Sequence, residues 1–92
     1  MSVSYCPNLT QHQFYMYFVY VLKNVRTKEL YYGYTDNLER RIYQHNLKHV
    51  DELIYYEAYL SESDARRRER RLKNYGQSIT YLKSRIKDSL KI

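Results

Sequence analysis

The apolar positions of the chain fall into short blocks separated by polar turns. A continuous apolar run spans Tyr15 to Leu22, a polar turn containing Asn24, Arg26 and Lys28 follows, and a second aromatic run, Leu30 to Tyr34, is broken by Gly33. Runs of this length and composition around a polar turn predict a β-hairpin. Directly after it, Asp36-Asn37-Leu38-Glu39 has the spacing of a capping box, in which Asp36 accepts from the amide of Glu39 and Glu39 reaches back. The spacing predicts a helix from Leu38 to Asn46, with Leu38 and Ile42 one turn apart on its inward stripe.

A polar link, Leu47 to Glu52, leads to a third strand, Leu53 to Leu60, whose one charged residue is Glu57. The first strand has the most uniformly apolar run and is therefore placed at the sheet centre, giving the order second, first, third. The expected fold is α/β of the α+β type: a three-stranded antiparallel sheet flanked by helices. Ser61 or Ser63 can cap a second helix, Glu62 to about Tyr75, with Gly76 placed to end it in a left-handed conformation. Ser78 opens a third, on which Ile79, Leu82, Ile86 and Leu90 recur at helical spacing. Residues 1–14, with Pro7 and Asn8 and no hydrophobic period, read as an irregular leader to a domain of residues 15–92.

Ninety-two residues make one small domain with a single modest core. Sixteen Lys and Arg against ten acids give a formal charge of +6 and a pI near 9.4, which favours an anionic partner such as nucleic acid. Cys6 is the single cysteine, so no intrachain disulfide can form, and a reducing, cytoplasmic setting is expected. The longest apolar run is far short of the roughly 18 residues that cross a bilayer, and no signal-peptide pattern precedes it, so no membrane association is expected.

Charge on the inward faces changes the picture. Arg41 and His45 share the stripe of Leu38 and Ile42, and an unpaired guanidinium is costly to bury, so Arg41 must meet an anion inside the protein or face a pocket that receives one. On the second helix, Ala65, Glu69 and Leu72 fall on one stripe while most of the arginines of Arg66 to Arg71 flank it. Glu69 is either an ordinary helical ion pair with a neighbouring Arg or with Lys73, or a carboxylate for a hard divalent cation such as Mg²⁺ or Mn²⁺, which needs only one or two such ligands beside water and phosphate. The Arg66–Arg71 row itself reads equally as a solvated face or as a phosphate contact. The chain has 13 tyrosines, most of them expected at the core or sheet surface.

Val19-Tyr20-Val21, Tyr31-Tyr32-Gly33, the run Thr35 to Arg41 with His45-Asn46, and Ala65 through Arg68-Glu69 to Leu72-Lys73 together resemble the GIY-YIG nuclease domain. The resemblance covers Tyr17 to about Leu90 and is closest to small stand-alone bacterial members, similar to the nuclease domains of the excision-repair incision protein and of Slx1-type nucleases. It implies hydrolysis of nucleic-acid phosphodiesters with one divalent metal. Position by position, it makes Tyr20 and Tyr31 the motif tyrosines, Gly33 the motif glycine, Arg41 the catalytic arginine and Glu69 the metal ligand. His45 lies where some relatives carry a tyrosine or histidine near the phosphate. The first motif here reads Val-Tyr-Val rather than Gly-Ile-Tyr, and the link from His45 to Leu53 is shorter than the basic loop of small relatives.

The reading is a metal-dependent endonuclease acting on DNA, on branched, flapped or damaged forms rather than a fixed sequence, because a domain of this size has no module for base readout. The alternatives are a nucleic-acid-binding domain of the same fold with little activity, and a protein-interaction adaptor.

Overall fold

The computed structural model describes residues 15–92; the expected leader, with Cys6 and His12, lies outside them. In chain order the elements are β1 (Tyr17–Asn24), β2 (Leu30–Thr35), α1 (Leu38–His45), β3 (Asp51–Tyr59), α2 (Glu62–Asn74), α3 (Gly76–Arg85) and α4 (Lys87–Lys91). The strands form one sheet in the order β2-β1-β3, with β1 antiparallel to both neighbours. Fold class and strand order are those expected from the sequence.

The apolar run places β1 at the centre, and strand alternation then divides its side chains between two faces. Val19 and Val21 pack with Ala65, Leu72, Leu82 and Ile86 of the C-terminal helices. Tyr20 and Leu22, equally buried, take the other face, where α1 meets the sheet. β1 runs two residues past the expected end. Lys23 stays buried because its ammonium donates to the carbonyls of Leu90 and Ile92, which solvate the charge at the end of α4. Asn24 then organises the hairpin turn, its side-chain oxygen accepting from the amides of Arg26 at 3.0 Å and Thr27 at 2.8 Å.

β3 begins at Asp51 rather than Leu53, because the Asn46 side chain brackets the Asp51 backbone and Asp51 pairs with Asn24 across the ladder. A bulge follows: Leu22 opposes Leu53 and Val21 opposes Tyr55, which leaves Ile54 unopposed. Ile54 and Tyr55 consequently both reach the helical core, which strict alternation would forbid.

Two expected caps are corrected. The cap of α1 is Asn37, not Asp36: its side chain accepts from the Arg40 amide at 3.0 Å. The Thr35 hydroxyl, still in β2, accepts from the Asn37 amide and delays the helix by one residue, while Asp36 pairs with the Arg40 guanidinium. α1 buries none of its residues fully, and Leu38 and Ile42 are half-buried. Of the two serines, Ser61 caps α2. Gly76 is not left-handed, since no described glycine has positive φ; Tyr75, in an extended conformation, makes the break, and Gly76 is the first residue of α3, ahead of Ser78. The last stripe is divided at Ile86 into α3 and α4.

A Cβ at Gly76 would meet nothing within 4 Å. Gly76→Ala therefore restricts the unfolded chain without straining the folded one and should raise stability by about 0.4–1 kcal/mol. Urea unfolding checks this; a loss of that size would show that the position needs glycine's backbone freedom.

Candidate active site

Tyr20 and Gly33 face each other across the central ladder. The phenol ring of Tyr20 lies over the bare backbone of Gly33. A Cβ built there would overlap Cζ and Oη of Tyr20 and sit 2.9 Å from Cε1. The missing side chain at position 33 thus lets a tyrosine that is only 1% exposed carry its hydroxyl across β2, where Oη accepts a hydrogen bond from Arg41 Nε at 3.2 Å.

Tyr31, two residues before Gly33, shares that face; its ring centroid is 6.3 Å from that of Tyr20 and the residue is 38% exposed. Its hydroxyl is near enough to Arg41 to help raise the guanidinium's pKa. One turn after Arg41, the His45 ring lies 5.1 Å from Tyr31 and 4.6 Å from the stacked ring of His49. His45 Nε2 is 2.6 Å from Asp51 Oδ2, and Asp51 Oδ1 accepts from Asn24 Nδ2 at 2.8 Å. Tyr20, Tyr31, Arg41 and His45, from three elements, therefore form one continuous cluster.

The electrostatics of the cluster centre on Arg41. The hydrogen bond to Tyr20 and, after it, the nearby Tyr31 hydroxyl hold its pKa above the ordinary value, and among the described residues no carboxylate pairs with it. Burial raises the Tyr20 pKa; the hydrogen bond from Arg41 lowers it by less, and Tyr31 and Glu69 push it up further. The Tyr20 phenol therefore keeps its proton near neutral pH. Glu69 approaches the cluster from α2 closely enough to be felt at Tyr20, but its ion pair is with Lys73 at 3.1 Å, not with Arg41. Its side chain is 20% exposed.

The first three arginines of α2 behave differently. Arg66 pairs with Glu62 at 3.1 Å, Arg67 with Asp64 at 3.0 Å, and Arg68 forks onto both oxygens of Glu57. Glu57 also accepts from the hydroxyls of Tyr55 and Tyr59. Burial and the adjacent Glu57 push the Tyr59 phenol up to about 12; burial and Glu62 do the same to Tyr34. These tyrosines are held protonated against acids on the helical face, remote in role from Tyr20 and Tyr31.

Beside the cluster, Phe18, Leu38, Ile42, Leu53 and Tyr56 line an apolar groove of about 760 Å³ rimmed by Asp36 and Glu39. Two carboxylates make that rim a poor seat for phosphate. Asp51 and Asn24 escape a sequence reading because one sits in a polar link and the other in a turn. The pairing that joins them depends on register across the bulge.

Gly33→Ala should force the Tyr20 ring off its position, costing about 1–3 kcal/mol as an overpacked contact and breaking the hydrogen bond from Arg41. In a Tyr20→Ala background the same change should cost little, so a double-mutant cycle measured by urea unfolding reads the overlap directly. Additive effects would refute it.

The sequence model of the GIY-YIG catalytic domain matches residues 16–83. Neither the search of curated protein sequences nor that of solved structures returned a match. The matched span runs from the start of β1 into α3, well over half of the chain, and takes in both motif strands, Arg41 and Glu69. On that match, and with the sheet order just described, the chain belongs to the GIY-YIG family.

Proposed function

We propose that the protein is a metal-dependent endonuclease that hydrolyses DNA phosphodiester bonds, on branched, flapped or damaged DNA, in the cytoplasm. The observation that carries this reading is Arg41. Its guanidinium is held by a hydrogen bond to the Tyr20 phenol, with Tyr31 nearby, rather than neutralised by a carboxylate, so it remains available to an external anion.

The donor set suits a hard cation. No group of three or more His, Cys, Asp or Glu among the described residues could hold a metal, which argues against a closed zinc-type site. One carboxylate, Glu69, completed by water and phosphate oxygens, is the pattern Mg²⁺ or Mn²⁺ accepts. A bound divalent ion would polarise the phosphate and ease deprotonation of water. Arg41 would fork onto two phosphate oxygens and stabilise the charge that builds in the transition state. Tyr20, kept protonated by its burial, serves as a fixed hydroxyl that orients Arg41 and a water, while the exposed Tyr31 hydroxyl and His45 border the space where the reacting groups meet.

The Glu69–Lys73 ion pair favours a second reading, a nucleic-acid-binding domain with little activity of its own. A panel of labelled linear, flap, junction and single-stranded substrates with Mg²⁺ or Mn²⁺ separates the two. Metal-dependent cleavage of any member supports the nuclease. Salt-sensitive binding without cleavage supports the binding domain.

Two substitutions test the roles. Glu69→Gln removes a charge without removing volume and should lower cleavage at least ~100-fold with little change in DNA affinity or unfolding midpoint; full activity sinks the ligand assignment, and a large loss of stability returns Glu69 to an ion-pair role. Arg41→Lys keeps the charge but loses the planar fork, so turnover should fall far more than binding. An equal fall in both would make Arg41 an anchor for DNA.

A further inference from the structure

His45 and Asp51 form a pair that the family match does not explain. Their side chains are only 11% and 9% exposed, and their contact of 2.6 Å is the shortest approach between an acid and a base in the cluster. Asp51 is fixed on every side: Asn24 Nδ2 donates to Oδ1, and the Asn46 side chain bonds both its amide and its carbonyl. Asn24 is itself tied into the hairpin turn by the Arg26 and Thr27 amides. A carboxylate accepts only, so Oδ2 demands a proton on Nε2 of the neutral imidazole and leaves the lone pair on Nδ1. Among the described residues no hydrogen bond engages Nδ1, and no fully buried side-chain nitrogen lacks a partner, so this atom is reached by solvent.

We propose that Asp51 is a positioning residue that sets the tautomer and orientation of His45, so that Nδ1 presents a proton acceptor beside Tyr31 and Arg41. The inference rests on the nuclease reading. In hydrolysis the water oxygen bonds to phosphorus as its proton passes to Nδ1; the bond from phosphorus to the leaving sugar oxygen breaks with its electron pair, and that oxygen takes a proton from solvent. Asp51 stabilises the imidazolium left behind. Tyr20 is a poor alternative acceptor, because a buried phenol that keeps its proton cannot take another one usefully. The His49 ring stacked on the outer side of His45 limits rotation away from this pose.

The test is Asp51→Asn, which preserves shape and the bond from Asn24 but offers Nε2 a donor instead of an acceptor. Two-bond ¹H–¹⁵N correlation of ring-labelled histidine, recorded at alkaline pH, should show the Nε2–H tautomer for His45 in the parent and the Nδ1–H tautomer in the variant. Cleavage turnover should fall on the order of 10²-fold or more, as acid-to-amide exchange behind a catalytic histidine does in other hydrolases, with KM changed by less than about threefold. Glu52→Gln makes the same acid-to-amide change at the exposed neighbour of Asp51 on β3 and should keep near-parent turnover. An Nδ1–H tautomer in the parent, an inverted tautomer with unaltered turnover, or an equal loss in Glu52→Gln would each overturn the proposal. A parent that cleaves no substrate instead sinks the nuclease reading and the claim on turnover with it, while the tautomer spectra still decide the pairing.

Discussion

The close passage of the Tyr20 ring over Gly33 is the constraint on which the rest of the site depends. Without it, the hydroxyl of a residue buried in the central strand could not reach the far side of β2. Arg41 would then lose the acceptor that orients its guanidinium. The arrangement couples the core to the site: the ring is part of the packed sheet, its tip is part of the polar cluster, and one absent Cβ connects them. A side chain at position 33 would disturb both at once, since the interior cannot absorb an overlap of that size without moving the ring.

The two faces of the sheet treat charge in opposite ways. On the helical face each cation of the first half of α2 has an acid: Glu62 for Arg66, Asp64 for Arg67, Glu57 for Arg68. The exposed pairs contribute little to stability. The Arg68–Glu57 fork, partly buried and completed by two tyrosine hydroxyls, fixes α2 against β3 and with it the direction in which the adjacent Glu69 leaves the helix. On the other face Arg41 has only phenols. The net basic charge of the chain therefore does not describe a uniform surface, because Arg66, Arg67 and Arg68 of the conspicuous arginine row are internally matched while Arg41, in a half-buried cleft, is not.

Much of this was legible in sequence where the signal was periodic. The apolar run of β1, the aromatic run of β2 and the spacing Ala65–Leu72 reflect burial on one face, and burial is what hydropathy records. Legibility ended where a side chain rather than a period decides. Asn37 caps α1 because the Thr35 hydroxyl holds its amide, a contact that the capping-box spacing of Asp36 and Glu39 conceals. Gly76 looked like a helix stop because glycine often is one, but an extended Tyr75 makes the turn, and the glycine merely starts the next helix. Lys23 looked like a strand end and is instead a buried charge with carbonyl partners more than sixty residues away.

The site follows the same division. Arg41 and His45 were nameable because their spacing sets them on one helix stripe, whereas Tyr20 and Tyr31, two of 13 tyrosines, were singled out only by the resemblance to the family's motifs. Asp51 was not, because its position requires a strand that starts inside a polar segment, a bulge at Ile54 and an asparagine on each side. The short link between α1 and β3 supplies the physical reason these coincide. With few residues between His45 and the ladder, the first acid of β3 is delivered directly beneath the imidazole, and a longer loop would separate the two. The short polar segment between α1 and β3 is thus the one that brings a nearly buried carboxylate to the histidine.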